Sequence, residues 1–210
     1  FHLNAHSPTI SSNHERTAFV ELVVPAIKSM AKITNLTTMN WYSLISRCER
    51  DLNANKMILM TAGNYNMKNA SIRKIDALGK STGTTKMEHL IIESSSSSLE
   101  ESVPHTLDDS IKLIECSTMV LSQEASARKD CSWKLFKQTK VLCVQVICNQ
   151  ITLSVTKFLD RNRWKHLQLR SAQLPNSWQH KILIVKFAEL LATLYVRRKR
   201  FSKAKVQLQY

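Results

Sequence analysis

The residues that could carry chemistry are few and scattered. Gly79-Lys80-Ser81-Thr82 ends like a phosphate-binding loop, in which a glycine-rich backbone wraps a phosphate and the lysine reaches it. Lys74 stands where the leading glycine of that loop is needed, and residues 71–78 carry a helical pattern instead of a strand. The segment therefore reads as a helix stop followed by a polar loop. His2 and His6 are four apart with His14 nearby, a spacing that could hold a metal on one helix face. Pro8 follows at once, and no Cys or carboxylate completes a shell. His166 and His180 sit among Lys and Trp, which suits solvated or core-edge histidines. Nucleophile-elbow, zinc-protease and Cys–His constellations are missing from the sequence. The expectation is a non-enzyme with no metal and no cofactor.

Two further groups suit binding. Arg197, Arg198, Lys199 and Arg200 form a basic run with Lys203 and Lys205 close behind, and Arg161 and Arg163 occupy an upstream turn. Trp164, Trp178, Phe201 and Tyr210 interleave with that charge, as in surfaces that hold nucleic-acid phosphates and stack bases. The same run reads as a nuclear localisation signal, or as a solvated turn facing acidic protein surfaces. Ser97 and Ser98 each have a Glu three residues on, Glu100 and Glu101. A phosphate there would add charge to an acidic segment and could pair with the basic C-terminal part.

Composition bounds the elements that position these residues. The chain has 210 residues, 43% hydrophobic and 22% charged, enough to bury a core. With 3 Gly and 4 Pro, it has few of the breakers that hairpin-rich folds need. The five cysteines form no C-x-x-C pair, so reduced thiols and an intracellular setting, the nucleus included, are expected. Two glycosylation sequons, Asn35-Leu36-Thr37 and Asn69-Ala70-Ser71, stand against that. No apolar run approaches a membrane span. The sequence begins at Phe1, which suggests a fragment or a processed product. Charge divides unevenly: residues 1–92 are net +5, residues 93–127 net −6 and residues 128–210 net +15, giving +14 in all.

Helical patterns dominate the reading. Asn13 can cap a helix through Phe19, Val20, Val23 and Val24, which Pro25 breaks or restarts. Trp41, Leu44, Ile45 and Cys48 step by three and four. Ser71 can cap a short helix through Ile75 and Leu78 that Gly79 stops. Residues 79–105, with their serine run, read as a linker or long loop in which only Met87 to Ile92 looks ordered, between an N-terminal helical part (1–78) and a second part (106–210). Thr106 and Asp109 resemble a capping box before a stripe of Leu107, Ile111, Ile114 and Val120 or Leu121. Trp133, Phe136 and Val141 continue in another helix. Residues 141–158 carry both periods: Ile151, Leu153 and Val155 alternate as in a strand, while Val144, Ile147, Ile151, Val155 and Phe158 step as in a helix. Helix is favoured because Asn149-Gln150 lacks the glycine of a tight hairpin turn.

The C-terminal residues resemble a tetratricopeptide (TPR) repeat. Ala188, Leu191, Ala192 and Tyr195 occupy the first-helix pattern, Ala204 and Leu208 the second, with Phe201 before them and residues 197–200 as the turn. A fainter copy upstream aligns Ile151, Ser154, Val155 and Phe158 with the first helix, and Trp164 and Leu167 with the second. The resemblance covers roughly residues 145–210. It implies an all-α fold of stacked antiparallel helix pairs, with Ala192 against Ala204. It also implies a non-catalytic scaffold within a larger assembly, binding subunits with acidic or peptide-like surfaces. The alternative is a basic helical nucleic-acid-binding domain. No membrane partner is expected.

Overall fold

The computed structural model describes residues 19–44, 74–82, 87–95, 101–128, 132–160, 163–175 and 180–206. A π-helical turn, Phe19–Val23, leads into α1 (Val24–Thr34). Strands β1 (Thr37–Leu44), β2 (Ile75–Ser81) and β3 (Glu88–Ser95) follow. Then come α2 (Val103–Ala127), a one-turn helix α3 (Trp133–Phe136), β4 (Lys140–Ile147), β5 (Gln150–Asp160), β6 (Arg163–Gln173) and α4 (Leu183–Val206). The six strands form one sheet in sequence order. All neighbours pair antiparallel except β3 and β4, which are parallel. A parallel pair needs a crossover, and α2 supplies it.

The fold is therefore α/β, and the all-α, helical-repeat expectation is corrected. At 141–158 the two-residue period prevails. Val141–Ile147 and Gln150–Phe158 belong to paired strands with Leu142 opposite Val155 and Val144 opposite Leu153. The missing turn glycine is replaced by Cys148, which takes the left-handed conformation at φ 51°. The TPR resemblance fails at both copies. The upstream one is the β5–β6 hairpin, with Phe158 opposite Trp164. The C-terminal one is a single continuous helix that runs straight through residues 197–200. Ala188 and Ala192 are exposed on it, so no close helix pair forms there. Helix propensity is nearly indifferent to which face is apolar, so short spacings of three and four did not distinguish a pair of helices from one.

Earlier segments also change type. Residues 37–44 and 75–81 are strands where helices were expected; the rest of the 39–53 stripe lies outside the described residues. Gly79 is a mid-strand residue, not a helix stop. A Cβ there would meet Thr37 Cγ2 at 2.8 Å and Leu90 Cβ at 2.9 Å, so glycine permits the close approach of β1 and β3 side chains. Residues 88–95, within the expected linker, form an interior strand buried at every position. Pro25 sits at the start of α1, where its missing N–H leaves no bond unmade.

Helices cover both faces of the sheet. On one, Phe19, Leu22, Val23 and Ile27 join Phe187, Leu190 and Leu194 of α4 over Ala77, Leu90, Ile92, Leu142, Val144, Leu153 and Val155. On the other, Leu113, Cys116, Val120 and Leu121 of α2 pack on Ile75, Leu78, Ile91, Val141 and Cys143. Strand β4 is buried from both sides over Val141–Val144, which is why that stretch is apolar at every position. The expected α2 stripe holds only at its end: Leu107, Ile111 and Ile114 point outward, while Val120 and Leu121 are buried with Leu113, Cys116 and Ser117. Among the described residues, no helix is long and apolar enough to cross a membrane.

Candidate active site

Strand direction brings one group of polar residues together. The parallel strands β3 and β4 both end at the edge where β2 begins and where α2 enters. The carboxyl ends of β3 and β4 thus lie beside the start of the crossover helix. On β3, the α2 side carries Ile91, then Glu93, then Ser95, because successive side chains alternate. Ala77 pairs with Ile92, so the next step outward sets Asp76 of β2 opposite Glu93.

Each of these side chains is held. Asp76 Oδ2 accepts the Ser94 N–H at 2.9 Å. Ser95 Oγ donates to Asp109 Oδ2 at 2.6 Å. Lys112, one turn further along α2, donates to Glu93 Oε2 at 3.1 Å, Asp109 Oδ1 at 2.6 Å and the Lys74 carbonyl at 3.2 Å. Beside them, Gln145 of β4 donates to Ser110 Oγ at 2.8 Å and to the Thr106 carbonyl at 3.2 Å. Glu93 is 2% exposed, and its Oε1 has no hydrogen-bond partner.

The electrostatics follow from three carboxyl groups around one ammonium. Burial pushes the Glu93 carboxyl up to about 8; Lys112 opposes this, while Asp76 and Asp109 add to it. Burial alone would lower Lys112, but Glu93 and Asp109 outweigh it and hold the ammonium above its ordinary value. Near neutrality the cluster thus holds a charged lysine and a glutamic acid on the verge of ionising. An added cation between Asp76 and Glu93 would favour the ionised form. Among the described residues no three His, Cys, Asp or Glu side chains form a metal cage. Two carboxylates are nevertheless the protein share of many Mg²⁺ sites, where water and substrate phosphate complete the shell.

The expected site residues lie elsewhere. Strands β5 and β6 join, and α3 precedes β4, at the opposite end of the sheet. Arg163 is there, exposed, with Nε and Nη2 both 2.6 Å from the Asp160 carboxylate. Arg198 of α4 is buried: its Nη2 donates to the Leu36 carbonyl at 2.7 Å, and burial lowers its pKa to about 10. It ties α4 to the start of β1 and is withdrawn from any surface role. Arg197 is partly buried, and Lys199 is exposed with Nζ 5.7 Å from the Tyr195 ring centre. Arg200, Lys203 and Lys205 lie along α4, with side chains outside the described residues. Arg161, Ser97 and Ser98 also lie outside them, as do His2, His6 and His14. The basic residues that can be placed are thus remote from the acidic cluster.

His166 joins a second buried polar chain. Ser117 Oγ lies 2.7 Å from Thr156 Oγ1, which lies 2.8 Å from His166 Nδ1. Burial lowers the imidazole pKa. The cluster of Asp76, Glu93, Asp109 and Lys112 was missed because it follows no short motif. Its one sequence signal is an acid adjoining an apolar run twice over, Asp76 before Ala77-Leu78 and Glu93 after Leu90-Ile91-Ile92. Compared with known proteins, the chain matches no family model, no curated protein and no solved structure.

Proposed function

We propose that this protein hydrolyses phosphodiester bonds in nucleic acid, assisted by a divalent cation held by Asp76 and Glu93. The observation that carries the reading is the Glu93 carboxyl, 2% exposed, with Oε1 unpartnered beside a second acid and a charged lysine. A buried carboxylate left in that state is costly, and ionisable groups with shifted pKa values gather at catalytic sites. A bound Mg²⁺ would polarise a phosphoryl oxygen and lower the pKa of water. The Lys112 ammonium, whose donors hold Glu93, Asp109 and the Lys74 carbonyl, would add positive charge near a phosphoryl group bound there without donating to it directly. Asp109 and Ser95 hold that lysine and the α2 turn in position. Water oxygen bonds to phosphorus and gives up a proton, the ester P–O bond breaks with its electron pair leaving on the departing oxygen, and that oxygen takes up a proton, so that water is consumed and the proton balance closes. The net charge of +14 supports a polyanionic substrate.

The test is incubation of the full chain with labelled single- and double-stranded oligonucleotides in Mg²⁺ or Mn²⁺. Cleavage that EDTA stops, and that Asp76→Asn and Glu93→Gln each lower by 100-fold or more, is expected. Absence of cleavage in both metals, with no heat of metal binding by calorimetry, would remove the proposal.

A second reading keeps the scaffold role without its helix pairs. Val103, Leu107, Ile111 and Ile114 are 65%, 60%, 42% and 41% exposed along the outer face of α2, an apolar stripe of the kind that marks protein contacts. If it is an interface, Leu107→Glu with Ile111→Glu should reduce the solution mass of the assembly; a monomer before and after substitution argues against self-association.

A further inference from the structure

The outer faces of the two long helices match in spacing and oppose each other in side-chain size and in charge. On α2, Val103, Leu107, Ile111 and Ile114 form one exposed stripe, spaced by four, four and three residues. On α4, Val185, Ala188, Ala192 and Val196 form another, spaced by three, four and four. Read backward, the second spacing repeats the first. Each stripe runs about 16 Å along its helix at a rise of about 1.5 Å per residue. Laid antiparallel, the stripes coincide at all four positions, with Leu107 over Ala192 and Ile111 over Ala188. Branched side chains then stand over alanines at the centre, and valines close the ends, as ridges-into-grooves packing requires. Helix α2 holds Asp108, Asp109, Glu115 and Glu124 against Lys112, a formal charge of −3. Helix α4 holds seven Lys and Arg against one acid, a formal charge of +6. That acid, Glu189, is engaged by Arg170. The antiparallel register also carries the basic end of α4, beyond Val196, toward the exposed Glu101 just ahead of α2.

We infer that α2 of one copy of this chain packs antiparallel on α4 of a second copy, in a head-to-tail assembly. Helix α2 covers one face of the sheet and α4 the other, so the two stripes of a single chain point apart and cannot meet within it. Pairing α2 with α2, or α4 with α4, would set like charge against like. A contact between two different surfaces leaves one of each kind unused at the ends, so the assembly can grow beyond two chains instead of closing as a two-fold dimer. The inference rests on reading the outer face of α2 as a protein contact, and it adds what covers that face.

The test is complementation between two blocked variants of the full chain, read by sedimentation equilibrium. The mass of wild type should climb with concentration from the 24.0 kDa of one chain past that of a dimer. Leu107→Glu/Ile111→Glu blocks the α2 face, Ala192→Arg blocks the α4 face, and each variant alone should stay at the mass of one chain. Mixed in equal amounts they should form a dimer and go no further, because each keeps the face the other has lost. All three positions are exposed on helix surfaces, so melting temperatures should stay near that of wild type; where Ala192→Arg lowers it, Val196→Arg blocks the same face in its place. Wild type that stays monomeric at every concentration, or assembly that survives the α2 substitutions, removes both the contact reading and the inference. An α2 variant that is monomeric while the α4 variant still assembles overturns the inference alone, since α2 then pairs with itself. Two monomeric variants that do not combine on mixing overturn it as well.

Discussion

Replacing Glu93 by glutamine keeps the shape of the side chain and deletes its ionisation. In the unfolded chain this carboxyl titrates near 4.5; in the fold, burial pushes it to about 8. Between those values the folded state holds a proton that the unfolded state has lost. Stability therefore falls as pH rises through the window and levels off above about 8, at a limiting slope near 1.4 kcal/mol per pH unit. Across the whole window the ideal loss is on the order of 5 kcal/mol, and local relaxation reduces it to roughly 2–4 kcal/mol. Glutamine never incurs this loss, and Lys112 keeps Asp109 at 2.6 Å as a partner. Urea unfolding of both proteins at pH 5, 6, 7 and 8 without metal measures it. The variants should be close at pH 5, with glutamine increasingly the more stable up to pH 8. Saturating Mg²⁺ should shrink the gap, since a cation favours the ionised wild-type carboxylate. A difference that does not vary with pH, or that grows in favour of wild type, would refute both the burial argument and the cation site built on it.

Three other perturbations test the surrounding framework. His166 is held below its ordinary pKa by burial, so the folded state binds fewer protons, and stability is lost as pH falls through the unfolded value near 6.5; His166→Gln should flatten that acid limb in the same urea series. Thr156→Val leaves Ser117 Oγ and His166 Nδ1 without their shared partner and should cost about 1–3 kcal/mol by chemical denaturation. Gly79→Ala drives a methyl group to 2.8 Å from Thr37 Cγ2 and 2.9 Å from Leu90 Cβ, and calorimetry should show a loss of about 1–3 kcal/mol or more.

Little of the sheet was legible from pattern alone, for reasons that differ by segment. At 141–158 both periods were present, and the decision turned on a turn that uses Cys148 at positive φ in place of glycine. At 88–95 the apolar start, through Ile92, read as ordered, but the polar end hid that it is a strand and where it stops. Ser94 and Ser95 begin a serine run that reads as a loop, yet one bonds Asp76 through its amide and the other bonds Asp109 through its hydroxyl. Near the N-terminus the helical reading broke or restarted at Pro25, whereas the π-helical turn Phe19–Val23 runs on into α1 with Pro25 in its first turn. In α2 the helical reading gave the element but, before Val120, the wrong face, because an exposed apolar stripe competes with the buried one. The candidate site was invisible because Asp76, Glu93 and Lys112 meet only through strand pairing and the crossover.

The single parallel contact between β3 and β4 also shapes how the chain reaches its native state. β2 and β3, and likewise β4, β5 and β6, are antiparallel neighbours within their own parts of the sheet. The register of Leu90 with Leu142 and Ile92 with Val144 needs a long loop to close around α2 first, an entropic cost not repaid until the seam zips. Seam closure is thus assigned to the slow folding step, with the two halves as preformed partners. Stopped-flow refolding can contradict this: Val144→Ala should slow folding, and an effect confined to the unfolding rate would place the seam after the barrier. On this view the same juncture that assembles the acidic cluster is the last to form, so Asp76, Glu93 and Lys112 come together only when folding is complete.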